Sequence, residues 1–114
     1  TFFMIKNNNI ELGYFGLCRA KSMYNIFDYA VFFDKNSLIK SIKVLKYNED
    51  YGYEISAKWF LKQFYNKYNG NNMSYNYDID GISGATMSAK SVTKDIEKNS
   101  SKLYLWLLTK KLKL

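Results

Sequence analysis

The chain has 114 residues, a net charge of +7 and a hydrophobic fraction of 47%, which corresponds to one domain with a substantial core. Histidine is absent and cysteine occurs once, which excludes Ser/His and Cys/His catalysis, an internal disulfide, and thiolate zinc or iron–sulfur sites. No apolar run approaches the roughly 18 residues that a membrane helix needs, and no signal peptide is visible.

The first half of the chain predicts an antiparallel meander of three strands. Residues 1–10 look irregular, with a loop at the three consecutive asparagines 7–9, and residues 12–21 predict a first strand. Apolar residues alternate along residues 24–33, and because both faces of that strand are apolar, we expect it to be central. The sequence DKNS at 34–37 predicts a hairpin turn into a third strand over 38–47.

The second half predicts two main helices that pack on this sheet. After a polar loop around Gly52, apolar residues at helical spacing predict a helix over 56–68 that ends before Gly70, with Trp59 in the core. Alternation predicts a short strand at 75–79, and residues 87–98 predict the second helix. We expect the sequence NSS at 99–101 to interrupt this helix before a further helical piece through 112. The element order indicates an α+β domain with helices packed on an antiparallel sheet.

The sequence DGISGAT at 80–86 places small residues at the start of the second predicted helix. A helix that begins after Gly84 points unpaired N–H groups and the positive end of its dipole at whatever lies in front of it. Gly84 and Ala85 leave room there for an anion, and Ser83 and Thr86 offer hydroxyls. On these grounds alone, an ordinary helix cap by Ser83 or Thr86 is the commoner explanation.

This sequence resembles the signature of the FMN-binding domain family, Asp-x-x-(Ser/Thr)-Gly-Ala-Thr, and matches it at every specified position. The family includes the flavin subunits of Na+-translocating NADH:quinone reductase and of Rnf electron-transport complexes. The strand–turn–strand at 34–47, the loop NEDYGYEI at 48–55 and the helix segment WFLKQF at 59–64 extend the likeness to about residues 27–97. The resemblance implies that Thr86 carries FMN through a phosphoester bond, which a separate flavin transferase makes from FAD.

The resemblance also implies roles for the neighbours of Thr86. Backbone N–H groups near the helix start would hold the phosphate oxygens, and Ser83 would either bind the phosphate or cap the helix. Asp80 would either orient the loop or be read by the transferase. Residues 51–54 would face the isoalloxazine ring, because a tyrosine can stack on it and a glycine allows close approach. The complete set of expected cofactor-binding residues is Tyr51, Gly52, Tyr53, Glu54, Asp80, Gly81, Ile82, Ser83, Gly84, Ala85, Thr86, Met87 and Ser88.

The absence of histidine and of a paired acid and base favours an electron carrier over a self-contained enzyme. The family likeness implies transfer between partner redox proteins of a bacterial membrane, in an extracytoplasmic location where membrane association is indirect. Two alternatives stay open, namely a structural or sensor module that keeps the fold without the cofactor, and a basic module that binds nucleic acid or a membrane surface. We expect no nucleic-acid partner, because the basic residues are 16 lysines and a single arginine, whereas nucleic-acid recognition favours arginine.

Overall fold

The computed structural model describes residues 1–21, 26–46 and 53–112 of the chain. Four strands form one antiparallel sheet in the order β1–β2–β3–β4, and one long helix packs on it. The strands are β1 (Phe2–Asn7), β2 (Ile10–Lys21), β3 (Ile26–Asp34) and β4 (Ile39–Lys46), and the helices are α1 (Lys58–Leu61) and α2 (Thr86–Leu112), with 3-10 helices at Tyr53–Ser56 and Lys62–Phe64. The predicted α+β fold with an antiparallel meander is therefore confirmed.

The prediction that residues 1–10 are irregular is wrong, because Phe2–Asn7 form the strand β1. Phe2 lies opposite Gly16 of β2, and the pairing continues down to Asn7. Asn8 and Asn9 have positive φ angles of 52° and 69°, as a two-residue hairpin turn between twisted strands requires. The apolar run at 2–5 is thus a strand, and the two asparagines supply the turn.

β3 lies between β2 and β4, as its sequence predicts. Phe27, Tyr29, Val31 and Phe33 are buried on the face that packs against α2. The opposite face is not fully covered, since Phe32 is 39% exposed. The predicted hairpin turn follows, in which Asp34 Oδ1 accepts the N–H groups of residues 36 and 38 at 2.9 and 3.0 Å.

The helix predicted over 56–68 is much shorter in the structure. Its α-helical part is α1, and the following 3-10 helix ends at Phe64. The chain then pairs with the start of β4: Ile39 donates its N–H to the Lys67 carbonyl at 2.9 Å and accepts the Asn66 N–H at 2.7 Å. This pairing requires an extended Tyr65 and a left-handed Asn66 with φ of 67°, so that tertiary hydrogen bonds end the helix before its apolar stripe does.

α2 runs without interruption through the predicted break at 99–101, because the polar side chains there find partners outside the helix backbone. Asn99 Nδ2 donates to Tyr29 Oη at 3.2 Å and to Asp95 Oδ2 at 3.1 Å. The buried Ser100 Oγ accepts the Gly70 N–H at 3.2 Å. Neither side chain competes for the helix backbone, so that both are compatible with a continuous helix. Among the described residues, no helix combines the length and apolarity needed to cross a membrane.

The predicted strand at 75–79 is instead a compact turn with one parallel bridge between Tyr75 and Ile79. The Ser74 carbonyl accepts the N–H groups of Asp78 and Ile79 at 2.9 and 3.1 Å. The Asp78 carboxylate in turn accepts the Ser74 N–H at 3.0 Å. This turn buries Ile79 and leads the chain directly into the sequence at 80–86.

Candidate cofactor site

The N-terminus of α2 has a backbone cap but no polar side chain at the capping position. The Ala85 carbonyl accepts the N–H of Ala89 at 2.9 Å, which makes Ala85 the N-cap, and its own N–H donates to the Ile82 carbonyl at 3.0 Å. Serine, threonine or aspartate at this position would offer an oxygen to the first-turn N–H groups, whereas alanine offers none. The N–H groups of Thr86 and Met87 have no acceptor within the helix, because the helix begins at Thr86.

Three apolar side chains spaced three residues apart fix the loop to the core. Ile79, Ile82 and Ala85 are all buried in the hydrophobic core that also contains residues of α2 and the sheet. Ser83, which lies between Ile82 and Ala85, and Thr86, which follows Ala85, are both exposed. The loop therefore presents two hydroxyls to solvent on a rigid apolar base.

Gly84 provides open space beside those hydroxyls. Its φ of +82° lies in the left-handed region, which residues with a side chain rarely adopt, and a Cβ built there would meet no atom within 4 Å. The backbone conformation at this position therefore favours glycine, and nothing in the described structure fills the space that the missing side chain leaves.

The cap by Ser83 or Thr86 that local sequence favours is not formed. Ala85 occupies the N-cap position, and within the part of the chain that the structure describes, neither hydroxyl makes a hydrogen bond. Of the two expected cofactor-binding residues that follow Thr86, Met87 is exposed to solvent whereas Ser88 is buried. Ser83 and Thr86 are thus available for another role.

Gln63, which the sequence prediction missed, fixes the start of the loop. Its Oε1 accepts the Asp80 N–H at 2.7 Å, and its Nε2 donates to the Asp80 carbonyl at 3.1 Å. The Asp80 side chain itself is exposed. The sequence does contain an indication of this role: Gln63 is a polar residue beside Phe60 and Phe64, which belong to the predicted apolar stripe.

Gly81 gives the loop a close contact with the preceding turn. A Cβ at this position would lie 2.3 Å from Tyr75 Oη and 2.9 Å from Tyr75 Cζ. The glycine therefore makes room for the tyrosine hydroxyl, and packing explains Gly81, a position that the family signature leaves unspecified.

The predicted ring contacts lie at the edge of what the structure describes. Tyr51 and Gly52 fall outside the described residues, and Tyr53 and Glu54 begin a 3-10 helix in which their side chains are not described. The prediction that Trp59 belongs to the core is wrong. Its side chain is 54% exposed, because the buried face of α1 is formed by Phe60 and Leu61, and the Trp59 ring contacts only the edge of that core through Phe60.

A polar cluster joins the middle of α2 to β3. The Tyr29 hydroxyl donates to the Asp95 carboxylate, and the Asn99 amide bonds both groups. Burial, with smaller contributions from Cys18 and Asp95, raises the pKa of Tyr29. Burial likewise raises the pKa of the Cys18 thiol, which agrees with a small buried side chain and not with a reactive thiolate.

Comparison with known proteins identifies the family of this domain. A family model for the FMN-binding domain matches residues 26–99, a span that contains β3, β4, α1, the loop at 80–86 and the first half of α2. A search of curated proteins found no significant match.

Proposed function

This chain belongs to the FMN-binding domain family, and from that premise we propose that it is an electron-transfer domain with FMN attached covalently to Thr86. A bound flavin supplies reversible electron transfer, and the protein sets its potential through nearby charge and hydrogen bonds. Partner redox proteins at a bacterial membrane, outside the cytoplasm, donate and accept the electrons.

The observation that carries the proposal is the start of α2, where the N-cap residue Ala85 offers no side-chain acceptor beside an exposed Thr86. The N-cap is Ala85, which has no side-chain acceptor for the first-turn N–H groups, and those of Thr86 and Met87 have no acceptor within the helix. The open space beside Gly84 admits a bulky group, and a helix N-terminus favours a phosphate there. The residues present therefore fit an FMN phosphate, and Thr86 and Met87 would offer backbone N–H groups to it.

The attachment is a phosphoryl transfer with FAD as the co-reactant. Thr86 Oγ1 forms a bond to the phosphorus on the FMN side of the FAD pyrophosphate, and the bond from that phosphorus to the bridging oxygen breaks. AMP leaves with the bridging oxygen, and the hydroxyl proton passes to a base of the flavin transferase. The exposure of Thr86 supports this step, because the transferase must reach the hydroxyl.

Asp80 belongs to the surface that the transferase reads. Gln63 already fixes the Asp80 backbone, so that loop orientation does not depend on the Asp80 carboxylate. That carboxylate is exposed in the same loop as Thr86. A recognition role for Asp80 therefore fits its geometry better than a structural one.

Intact-mass spectrometry after co-expression with an active flavin transferase tests the proposal. We expect an increase equal to the mass of FMN less one water, which Thr86→Val abolishes. Thr109→Val is the matched control, because Thr109 is another exposed threonine on α2. A cofactor-free module with the same fold would show no adduct in any of these proteins, although the transferase modifies a known substrate.

A further inference from the structure

The outward face of α2 carries a row of lysines that ends in exposed leucines, and we propose that this face docks onto an anionic lipid surface. We call it the docking face and define it as Lys94, Lys98, Lys102, Leu105 and Leu108. The proposal concerns a different part of α2 from Thr86 and does not require flavin.

The docking face is one continuous stripe of the helix. Its residues follow each other at intervals of four or three, the spacing that places side chains on one side of an α-helix. The opposite side of α2 is buried through Ala89, Val92, Ile96 and Leu103. The stripe is about 21 Å long, at a rise of 1.5 Å per residue, and all five of its residues are exposed.

The lysines of this face are not in an ion pair with any residue that the structure describes, and the acidic residues next to them on α2 are Asp95 and Glu97. Within the described part of the chain, the three ion pairs use Arg19, Lys40 and Lys110, and none reaches the docking face. Lysines four residues apart on a helix repel each other. An anionic surface against the row would remove that repulsion and would also attract the chain through its net charge of +7.

The end of the stripe is apolar although it is exposed. Leu105 and Leu108 are 56% and 39% exposed, and the neighbouring Trp106 is 50% exposed. The Trp106 ring packs edge-on against Tyr14, with centroids 6.1 Å apart, and the Lys110 ammonium lies 5.4 Å from its centroid. A half-buried tryptophan beside an ammonium and exposed leucines is the combination that sits at membrane–water interfaces.

A lipid surface fits this face better than nucleic acid or an acidic protein does. Nucleic acid offers no apolar partner for Leu105 and Leu108, and the single arginine, Arg19, is paired with Asp28 at 3.0 Å. The three lysines of the stripe can contact anionic headgroups, and the two leucines at its end can reach the acyl chains beneath them. Leu105 lies about 28 Å along the helix from Thr86, at 1.5 Å per residue, so that docking leaves the start of α2 uncovered by the apolar end.

Vesicle co-sedimentation of the unflavinylated chain measures docking. We expect binding to vesicles that contain phosphatidylglycerol and none to pure phosphatidylcholine vesicles. The triple variant Lys94→Gln, Lys98→Gln, Lys102→Gln should weaken binding roughly a hundredfold, since each lysine near the surface contributes about fivefold. The control Lys43→Gln, Lys58→Gln, Lys62→Gln removes the same charge from exposed lysines elsewhere and should weaken binding only about threefold through net charge.

A second pair of variants tests the apolar end. Leu105→Ser with Leu108→Ser should weaken binding about tenfold, because two partly inserted leucines are lost. Leu17→Ser with Leu45→Ser is the matched control on exposed leucines of the sheet and should leave binding unchanged. Circular dichroism confirms that each variant is folded.

The fluorescence emission of the two tryptophans shows which of them enters the membrane interface. The chain has two tryptophans. The variant Trp59→Phe therefore keeps only Trp106, and the variant Trp106→Phe keeps only Trp59, which is 54% exposed. We expect a blue shift of emission on anionic vesicles only when Trp106 is present. Equal weakening by the two lysine triples, unchanged binding in Leu105→Ser with Leu108→Ser, or a blue shift from Trp59 instead would each overturn the proposal. Because unflavinylated protein is used, failure here leaves the flavin proposal untouched.

Discussion

The side-chain amide of Gln63 bonds both backbone groups of Asp80, with its Oε1 2.7 Å from the Asp80 nitrogen and its Nε2 3.1 Å from the Asp80 oxygen. The same Nε2 lies 3.3 Å from the Phe60 carbonyl. One amide therefore joins the end of α1 to the start of the candidate cofactor loop. The loop is held in place by a residue outside the family signature.

Replacing Gln63 by methionine should loosen the loop without emptying the core. Gln63→Met keeps the length of the side chain and loses all three hydrogen bonds of the amide, which should lower the free energy of unfolding by about 1–3 kcal/mol. Amide hydrogen exchange should accelerate at Asp80. The Asn66 N–H, which bonds the Ile39 carbonyl at 2.7 Å, is the internal control. Unchanged protection at Asp80 would show that the amide does not hold the loop.

A methyl group at residue 81 should clash with Tyr75. Gly81→Ala places Cβ 2.3 Å from Tyr75 Oη, and we expect a loss of about 1–3 kcal/mol in the free energy of unfolding from this overpacking. The double variant Gly81→Ala, Tyr75→Phe should recover part of that loss, because the closest atom is removed. Denaturant unfolding of the three variants gives the comparison. Additive effects of the two substitutions would contradict the contact.

Substitution of Gly84 should reduce attachment of FMN far more than it reduces folding stability. Gly84→Asn keeps a residue that tolerates positive φ and should cost no more than about 1 kcal/mol of folding stability. Its side chain nevertheless enters the open space that we assign to the phosphate, so that attachment of FMN by the transferase should fall sharply. Thermal unfolding and intact mass measure the two effects. Full modification of a folded Gly84→Asn protein would show that this space is not used.

The Tyr29–Asp95 hydrogen bond should make stability depend on alkaline pH. Because burial raises the pKa of Tyr29, its contribution to the free energy of unfolding is complete below about pH 10, the ordinary tyrosine pKa, and falls as pH rises above it. Tyr29→Phe should cost about 1–2 kcal/mol near neutral pH through the lost hydrogen bond.

Denaturant unfolding from neutral to alkaline pH measures this effect. The difference in stability between the natural chain and Tyr29→Phe should narrow above about pH 10. Tyr77→Phe, at a position that is 90% exposed, should show no such change. A difference that stays constant with pH would mean that ionisation of Tyr29 is not linked to unfolding.

Most of the sheet could be predicted from sequence because its strands alternate and its turns carry asparagine and aspartate. β3 shows this most clearly, with Phe27, Tyr29, Val31 and Phe33 on the buried face. β1 was missed because its apolar run is short and its turn, Asn8–Asn9, contains no glycine. The helix start at Thr86 agrees within one residue with the predicted start at 87, since the small residues before it mark that boundary.

The remaining errors have tertiary causes. α1 ends early because residues 65–67 pair with Ile39, and α2 continues because Ser100 and Asn99 bond groups on other elements. Neither partner is visible in a local window of sequence. The clamp by Gln63 is of the same kind, since it joins residues 17 positions apart. The location of Thr86 at an exposed helix start follows from sequence, whereas the support beneath it does not.

Peptide mapping of the co-expressed protein tests the central claim most directly. Trypsin should release residues 68–90, a peptide that holds Ser83, Thr86 and Ser88 together, and fragmentation then assigns any adduct to one hydroxyl. The account predicts FMN joined through its phosphate to Thr86. An adduct on Ser83 or Ser88, or an unmodified peptide from cells with a proven active transferase, would contradict it.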